Sequence, residues 1–218
     1  MSPYSFLTKN ITVIKNTFRG LSRMPKNPSI YTSHTKAKDA FIRDIQQHRN
    51  YIRSAFNQYG KMFCDLIGAN YDNVEKKITN HDLSKYKEEV EVIGIMAYYY
   101  RYPEDNLDID STRRKYLLEK AMLNHYHLNS CHPEYWVHYK SGKLTALPMD
   151  DDDIVEMILD WIAIGMEPDF DRADVYWAQN RTKKLMAEET IRKVDILIDK
   201  LTEEVNNGNE PKPMETSA

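Results

Sequence analysis

In this 218-residue chain, histidines and acids recur at places where a helix should present apolar side chains to its core. His48 follows Ile45 by three residues and precedes Ile52 by four, so helical geometry sets its imidazole on the apolar stripe. His81 and Asp82 open the string HDLSK, with Lys85 four residues after His81. Ala121, His125, Asn129 and His132 follow at steps of four, four and three. Asp160 lies between Leu159 and Trp161, with Glu156 one helical turn before it. Ionisable groups on buried faces are costly unless paired or metal-bound. Several of them on separate segments point to one shared ion.

Imidazoles mixed with carboxylates favour Mn, Ni, Co, Zn or Fe, and a carboxylate-rich site also admits Mg. The expected ligands are His48, His81, Asp82, His125, His132 and Asp160, holding one ion or two. An aspartate can bridge two ions, and such a centre lowers the pKa of bound water and polarises a phosphoryl oxygen. Asp82, Lys85 and Glu156 are the catalytic candidates. Lys85 suits an anionic substrate oxygen. Glu156 fits first as a carboxylate holding a histidine ring, then as a general base or a plain surface acid. Asn129 shares the His125 side of its helix and is a candidate substrate contact along with Lys85. His127 points elsewhere, and neither His34 nor His138 has a supporting pattern. Cys131, in the string NSCH, is either a soft ligand or a small semi-buried residue.

Helices must position these groups. Apolar residues at three- and four-residue steps predict a helix over 38–66, stopped by Gly68-Ala69-Asn70. Further helices are predicted over 74–78, over 84–100 with Val90, Ile93, Ile95 and Met96 apolar, and up to 128 from a cap at Ser111 or Thr112. The segment 130–148 reads as irregular, extended around Tyr135-Trp136-Val137. The acid run 150–153 reads as the favoured start of a helix reaching 163, with one Asp as N-cap. A single long helix is expected over 171–205, on the stripe Leu185, Ile191, Val194, Ile198, Leu201. The fold class is therefore all-α, a multi-helix bundle over 38–205.

Composition agrees with a globular domain: 41% hydrophobic, 29% charged and a net charge of −3. Its seven glycines and scarce alternating β-branched runs argue against a sheet-rich fold. No apolar stretch approaches the roughly 20 residues that span a bilayer. Cys64 and Cys131 form no disulfide framework and read as reduced thiols, which suggests a cytoplasmic protein (the host cytoplasm if phage-encoded). Residues 1–37 are basic, with no acid before Lys38, and are expected to form a helix packed on an acidic body. A transit peptide or a nucleic-acid-binding arm is the minority reading there. Residues 206–218 read as a disordered polar tail.

The order His…His-Asp…His…His…Asp on a helical chain resembles the HD superfamily of metal-dependent phosphohydrolases. His48, His81, Asp82 and Asp160 match its four-ligand signature, and His125 and His132 fall where two-metal members carry further histidines. HDLSK is similar to the HDxGK string of the cyclic-dinucleotide phosphodiesterase branch, with Ser84 in place of Gly; that branch's GYP motif is absent. More closely, HDLSK, AMLNHYHLNSCHPEYW and EMILDW resemble an uncharacterised bacterial and phage domain-of-unknown-function family, with Cys131 where its members usually carry a first of two histidines. The resemblance implies hydrolysis of a nucleotide or related small phosphate ester by metal-activated water. Its alternatives are a di-iron oxygenase and a non-catalytic scaffold that binds a nucleotide or partner. The partner expected is a small phosphate or nucleotide, with no membrane, little expectation of nucleic acid, and a homo-oligomer left open.

Overall fold

The computed structural model describes residues 34–100 and 109–213. The expected amino-terminal helix lies outside the described residues.

Helix α1 (His34–Ala55) runs on through a π-helical turn (Phe56–Gly60) into α2 (Lys61–Ile67). Gly68 ends it at φ 80°, in the left-handed region that favours glycine. Helix α3 (Tyr71–Asn80) is capped by the Asn70 side chain, which accepts from the Asn73 backbone N–H. Two short helices follow, α4 (Ser84–Lys87) and α5 (Glu89–Ile95), and a second π-helical turn (Met96–Tyr100). Helix α6 (Ser111–Leu128) is capped by Asp110, one residue before the expected Ser111 or Thr112, because its carboxylate accepts from Arg113 N–H.

The segment expected to be irregular contains a 3-10 turn (Pro133–Trp136) and a hairpin of β1 (Val137–Lys140) and β2 (Lys143–Ala146). Its register pairs Lys140 with Lys143 across a two-residue Ser141-Gly142 turn. Both turn residues have positive φ, 51° and 81°, as the primed hairpin turn requires. The fold is otherwise all-α, as the periodicity predicts.

Helix α7 (Asp151–Gly165) is the central element. Ile154 to Ala163 is buried at every position, as expected of a helix apolar around most of its circumference. The single helix expected over 171–205 is instead α8 (Ala173–Asn180), a turn, and α9 (Glu188–Asn206). Leu185, assigned to the stripe, sits exposed in that turn, so Trp177 and Asp195 can meet across a helical hairpin through a 2.8 Å hydrogen bond. The tail expected to be disordered is held as far as Lys212: Tyr59 and Gln58 donate to the Asn209 carbonyl, and Lys212 N–H donates to Gln58.

Two apolar clusters build the interior. The larger joins the second half of α1 with α2, α3, α7, α8 and α9, through residues such as Ile52, Phe63, Ile158 and Leu197. The smaller joins the first half of α1 with α5, the second π turn and α6, through Phe41, Ile45, Ile95 and Met122. His48 lies between Ile45 of one cluster and Ile52 of the other. His125 follows the last α6 member of the small cluster, and Asp160 sits within the α7 stretch of the large one. The polar residues singled out from the sequence thus collect where the two clusters adjoin.

Candidate metal centre

Asp82 occupies the turn between α3 and α4 at φ 60°, a left-handed conformation uncommon for a residue with a side chain. Arg49, one residue past His48, is buried and donates to the carbonyls of His81 and Thr79, which ties this turn to α1. Sequence reasoning missed Arg49. Its signal was a cation on the inner flank of the α1 stripe.

On one side of Asp82, His48 Nε2 lies 3.4 Å from His81 Nε2 and 3.0 Å from Asp160 Oδ1. His81 Nε2 is 3.5 Å from the same Asp160 oxygen. On the other side, His125 Nε2 and His132 Nε2 are 2.9 Å apart. Asp82 faces both pairs: Oδ1 is 3.9 Å from His81 Nε2 and 3.6 Å from His125 Nε2, and Oδ2 is 3.8 Å from His48 Nε2. All six expected ligands are thereby brought together.

The separations suit a small cation. Donors about 2.0–2.2 Å from a tetrahedral or octahedral ion stand roughly 3.0–3.5 Å apart as neighbours and about 4 Å apart across it. His48, His81 and Asp160 form one such group, and Asp82 closes it at wider spacing. His125 and His132 give a second pair sharing Asp82.

What lies behind the rings fixes how they point. His81 Nδ1 is 2.9 Å from Glu156 Oε1, and His125 Nδ1 is 3.0 Å from Glu91 Oε2. A carboxylate can only accept, so each Nδ1 carries the proton and each Nε2 is directed to the centre. Glu156 therefore sits behind His81 rather than facing the ligand space, in keeping with its first-ranked role of holding a ring. Glu91, fully buried, is the equivalent group for His125, and sequence reasoning missed it. Ser84, the departure from HDxGK, donates to Glu91 Oε2 at 2.9 Å, while Asn124 donates to Oε1 at 3.1 Å. Asn129, the candidate substrate contact, places its amide on the His125 carbonyl at 2.7 Å and on Ser84 Oγ at 3.2 Å. It braces the His125 ring.

Burial works against the charge on Asp82. Lys85, His81, His125 and His48 outweigh it and hold the carboxyl well below the usual range. Lys85 contributes most, with Nζ 2.6 Å from Asp82 Oδ2. It reaches Asp82 from a helix that begins only at Ser84, rather than sharing a face with His81. Asp160 is likewise kept ionised against its burial by His48 and His81. Burial and the neighbouring His125 hold His132 well below the ordinary histidine value, so it is a neutral imidazole with a lone pair to offer. For His81, burial opposes protonation but Asp82 and Asp160 prevail, so without metal the ring keeps a proton that metal binding would displace.

Cys131 lies with His81 and Glu156 in a second group of potential ligand atoms. Burial, then Glu156, drives its thiol far above the ordinary value, so it is a neutral neighbour of His81 in the metal-free chain. His127 is exposed, as its helical phase predicts.

Aromatic residues adjoin the ligands at two places. Tyr126 is 5.1 Å from His132 between ring centroids, and Trp161, one residue past Asp160, is 5.1 Å from Tyr176. Lys184, in the α8–α9 turn, sits 5.6 Å from the Trp161 centroid and 5.7 Å from that of Tyr176.

Fold and site together define an all-α protein with a buried histidine–carboxylate cluster that could hold a metal ion. The chain belongs to the family of unknown function DUF5662, which it matches over residues 37–206. Neither the curated proteins nor the solved structures contain a match. Among the described residues, no helix is long and apolar enough to cross a membrane.

Proposed function

We propose that this chain is a metal-dependent phosphohydrolase of the HD type, acting on a nucleotide or a related small phosphate ester. One observation carries the reading: two pairs of Nε2 atoms face each other across Asp82, each pair containing a ring whose Nδ1 is tied to a buried glutamate. Mn, Ni, Co, Zn or Fe fits this donor set, with His48, His81, Asp82 and Asp160 as one ligand group and His125, His132 and Asp82 as the other. A divalent ion held there supplies a water of lowered pKa and polarises a phosphoryl oxygen.

The protein's own groups do the rest. Glu156 and Glu91 fix the tautomers of His81 and His125, which keeps both rings aimed without reorganisation. Lys85 adds positive charge at the edge of Asp82, where charge accumulates on a reacting phosphate. The surrounding apolar clusters keep bulk water out and strengthen each of these interactions.

The test is a panel of nucleoside mono-, di-, tri- and cyclic phosphates, each with Mn, Ni and Co, assayed for phosphate release or diester cleavage. Turnover in the native protein that is lost in His81→Ala and Asp82→Asn, both still folded, is the expected result. Turnover retained in metal-free preparations of both variants would overturn it. A coloured, iron-bearing protein that consumes oxygen would replace hydrolysis with oxidation.

A further inference from the structure

Lys85 was the cation expected to meet the substrate, yet it is committed to Asp82 at 2.6 Å. A different lysine is better placed for an incoming anion. Lys184 sits half-buried over Trp161 and Tyr176 and, among the described residues, forms no salt bridge. Beside it, the Tyr176 hydroxyl is buried and, alone in this respect among the described side chains, makes no hydrogen bond of full geometry, although the Lys184 ammonium lies close enough to interact with it. A buried donor left unmatched costs about 1–3 kcal/mol, so such a group often marks the place of a ligand atom.

The position connects to the metal centre. Trp161 neighbours the ligand Asp160 in sequence, and Tyr126, 5.1 Å from the His132 ring, is close enough to Tyr176 for the two hydroxyls to influence each other electrostatically. Burial opposes the charge on Lys184, and Tyr176, Glu134 and Asp160 together outweigh it, so the ammonium stays charged. The break between α8 and α9 accounts for the inward placement, since Lys183 N–H and Lys184 N–H both turn back onto the Asn180 carbonyl. An uninterrupted helix over 171–205 would have carried Lys184 on a different face. Aromatic walls also exclude water, which makes one ammonium worth more to a phosphate than it would be at the surface.

We propose that Lys184 Nζ and Tyr176 Oη form an oxyanion subsite that receives a non-reacting phosphate oxygen of the substrate beside the metal centre. The proposal rests on the phosphohydrolase reading for the identity of the anion. It assigns to the α8–α9 turn a direct contact with the anion, in addition to the charge that Lys85 supplies at the edge of Asp82.

The probe is inorganic phosphate, titrated calorimetrically into manganese-loaded full-length chain, with manganese content measured on the same samples. Lys184→Met and Tyr176→Phe are compared with the native protein, and Lys184→Arg serves as the charge-retaining variant. Thermal melts confirm that each is folded. The expected result is phosphate binding weakened by about tenfold or more in Lys184→Met and severalfold in Tyr176→Phe, at unchanged manganese content, with Lys184→Arg largely restored. Equal phosphate affinity in native protein and folded Lys184→Met overturns the subsite and leaves the metal centre standing. Manganese bound by the native chain with no phosphate affinity overturns both the subsite and the phosphohydrolase reading. If neither manganese nor nickel, cobalt, zinc or iron offered in its place is taken up, the hydrolase reading falls by itself. Phosphate binding lost in Lys184→Met would then still uphold the subsite, and binding retained would overturn it.

Discussion

Asp82 holds a backbone conformation that costs roughly 1 kcal/mol or more for a residue with a Cβ, and the turn bears that cost to face one carboxylate toward two histidine pairs. The groups behind the rings matter as much as the ligands. Removing a carboxylate that orients a ligating histidine typically weakens metal affinity by about 10–100-fold. Glu91→Gln is therefore expected to weaken metal binding by that order, measured by competition with a chromophoric chelator, with the far-ultraviolet circular dichroism unchanged. Unaltered affinity would mean that the His125 half takes no part in binding. Among the ligands, His48, His125 and Asp160 are legible in the sequence because each lies on the inward face of a helix, whereas His81, Asp82 and His132, in turns, are legible from HDLSK and from their spacing to the others. Glu91 is not, because an unbroken helix over 84–100 with Val90, Ile93, Ile95 and Met96 as its apolar residues gives no sign of its burial. The chain is extended at Glu88 (ψ 108°), which resets the phase. Val90 and Ile93 are then 36% and 40% exposed while Glu91 is 0%. Gly94 and Ile95, three and four residues beyond Glu91, were the available sign of the true face.

At the scale of elements, helix crossings set ligand geometry. A Cβ on Gly94 would lie 2.3 Å from the Leu117 carbonyl oxygen and 2.4 Å from Ala121 Cβ, so α5 and α6 meet there backbone to backbone. Glu91 and His125 are each one turn from that contact. Gly94→Ala is expected to cost about 1–3 kcal/mol by overpacking and to weaken metal binding by parting Glu91 from His125. Chemical denaturation and the chelator competition read the two effects separately; stability and affinity both unchanged would show that the crossing yields freely. The acid run before α7 teaches a related lesson. It was read as dipole complement and N-cap, yet Asp150, at the cap position, makes no side-chain cap bond. Each of its neighbours ties α7 to another element. Asp151 pairs with Lys193 of α9, Asp152 accepts from the Asn70 N–H and the Asn73 side chain at the start of α3, and Asp153 accepts from Lys77 and Ser130. Asp153→Ala, which strands the Lys77 ammonium, should cost about 1–3 kcal/mol. Asp150→Ala should fall within about 0.5 kcal/mol of native. Equal effects in a denaturant titration would restore the simple dipole explanation. Local spacing revealed that a helix starts here, whereas those pairings depend on which elements come to lie alongside.

Across the whole molecule, four histidines and two aspartates from α1, the α3–α4 turn, α6, the loop after it and α7 converge where two apolar clusters adjoin. The all-α architecture follows from periodicity, since α7 is apolar nearly all round and the other helices on one face. The hairpin and the α8–α9 break were less visible: one depends on a Ser-Gly turn inside a polar stretch, the other on tertiary contact of Trp177 with Asp195. Metal that binds the folded chain and not the unfolded one must stabilise it, by about 2.7 kcal/mol at a free concentration a hundredfold above Kd. The melting temperature should therefore rise with added manganese or zinc, fall with chelator, and barely respond in Asp82→Asn. A native protein indifferent to both would contradict a folded-state site.

The central claim is that these six side chains share a cation, and elemental analysis of protein purified without chelator tests it most directly. One or two equivalents of a transition metal per chain are expected in the native protein, with loss of most of that metal in folded His81→Ala and Asp82→Asn. A native chain that stays metal-free after incubation with Mn, Co, Ni, Zn and Fe, or variants that retain the full native content, would contradict the account.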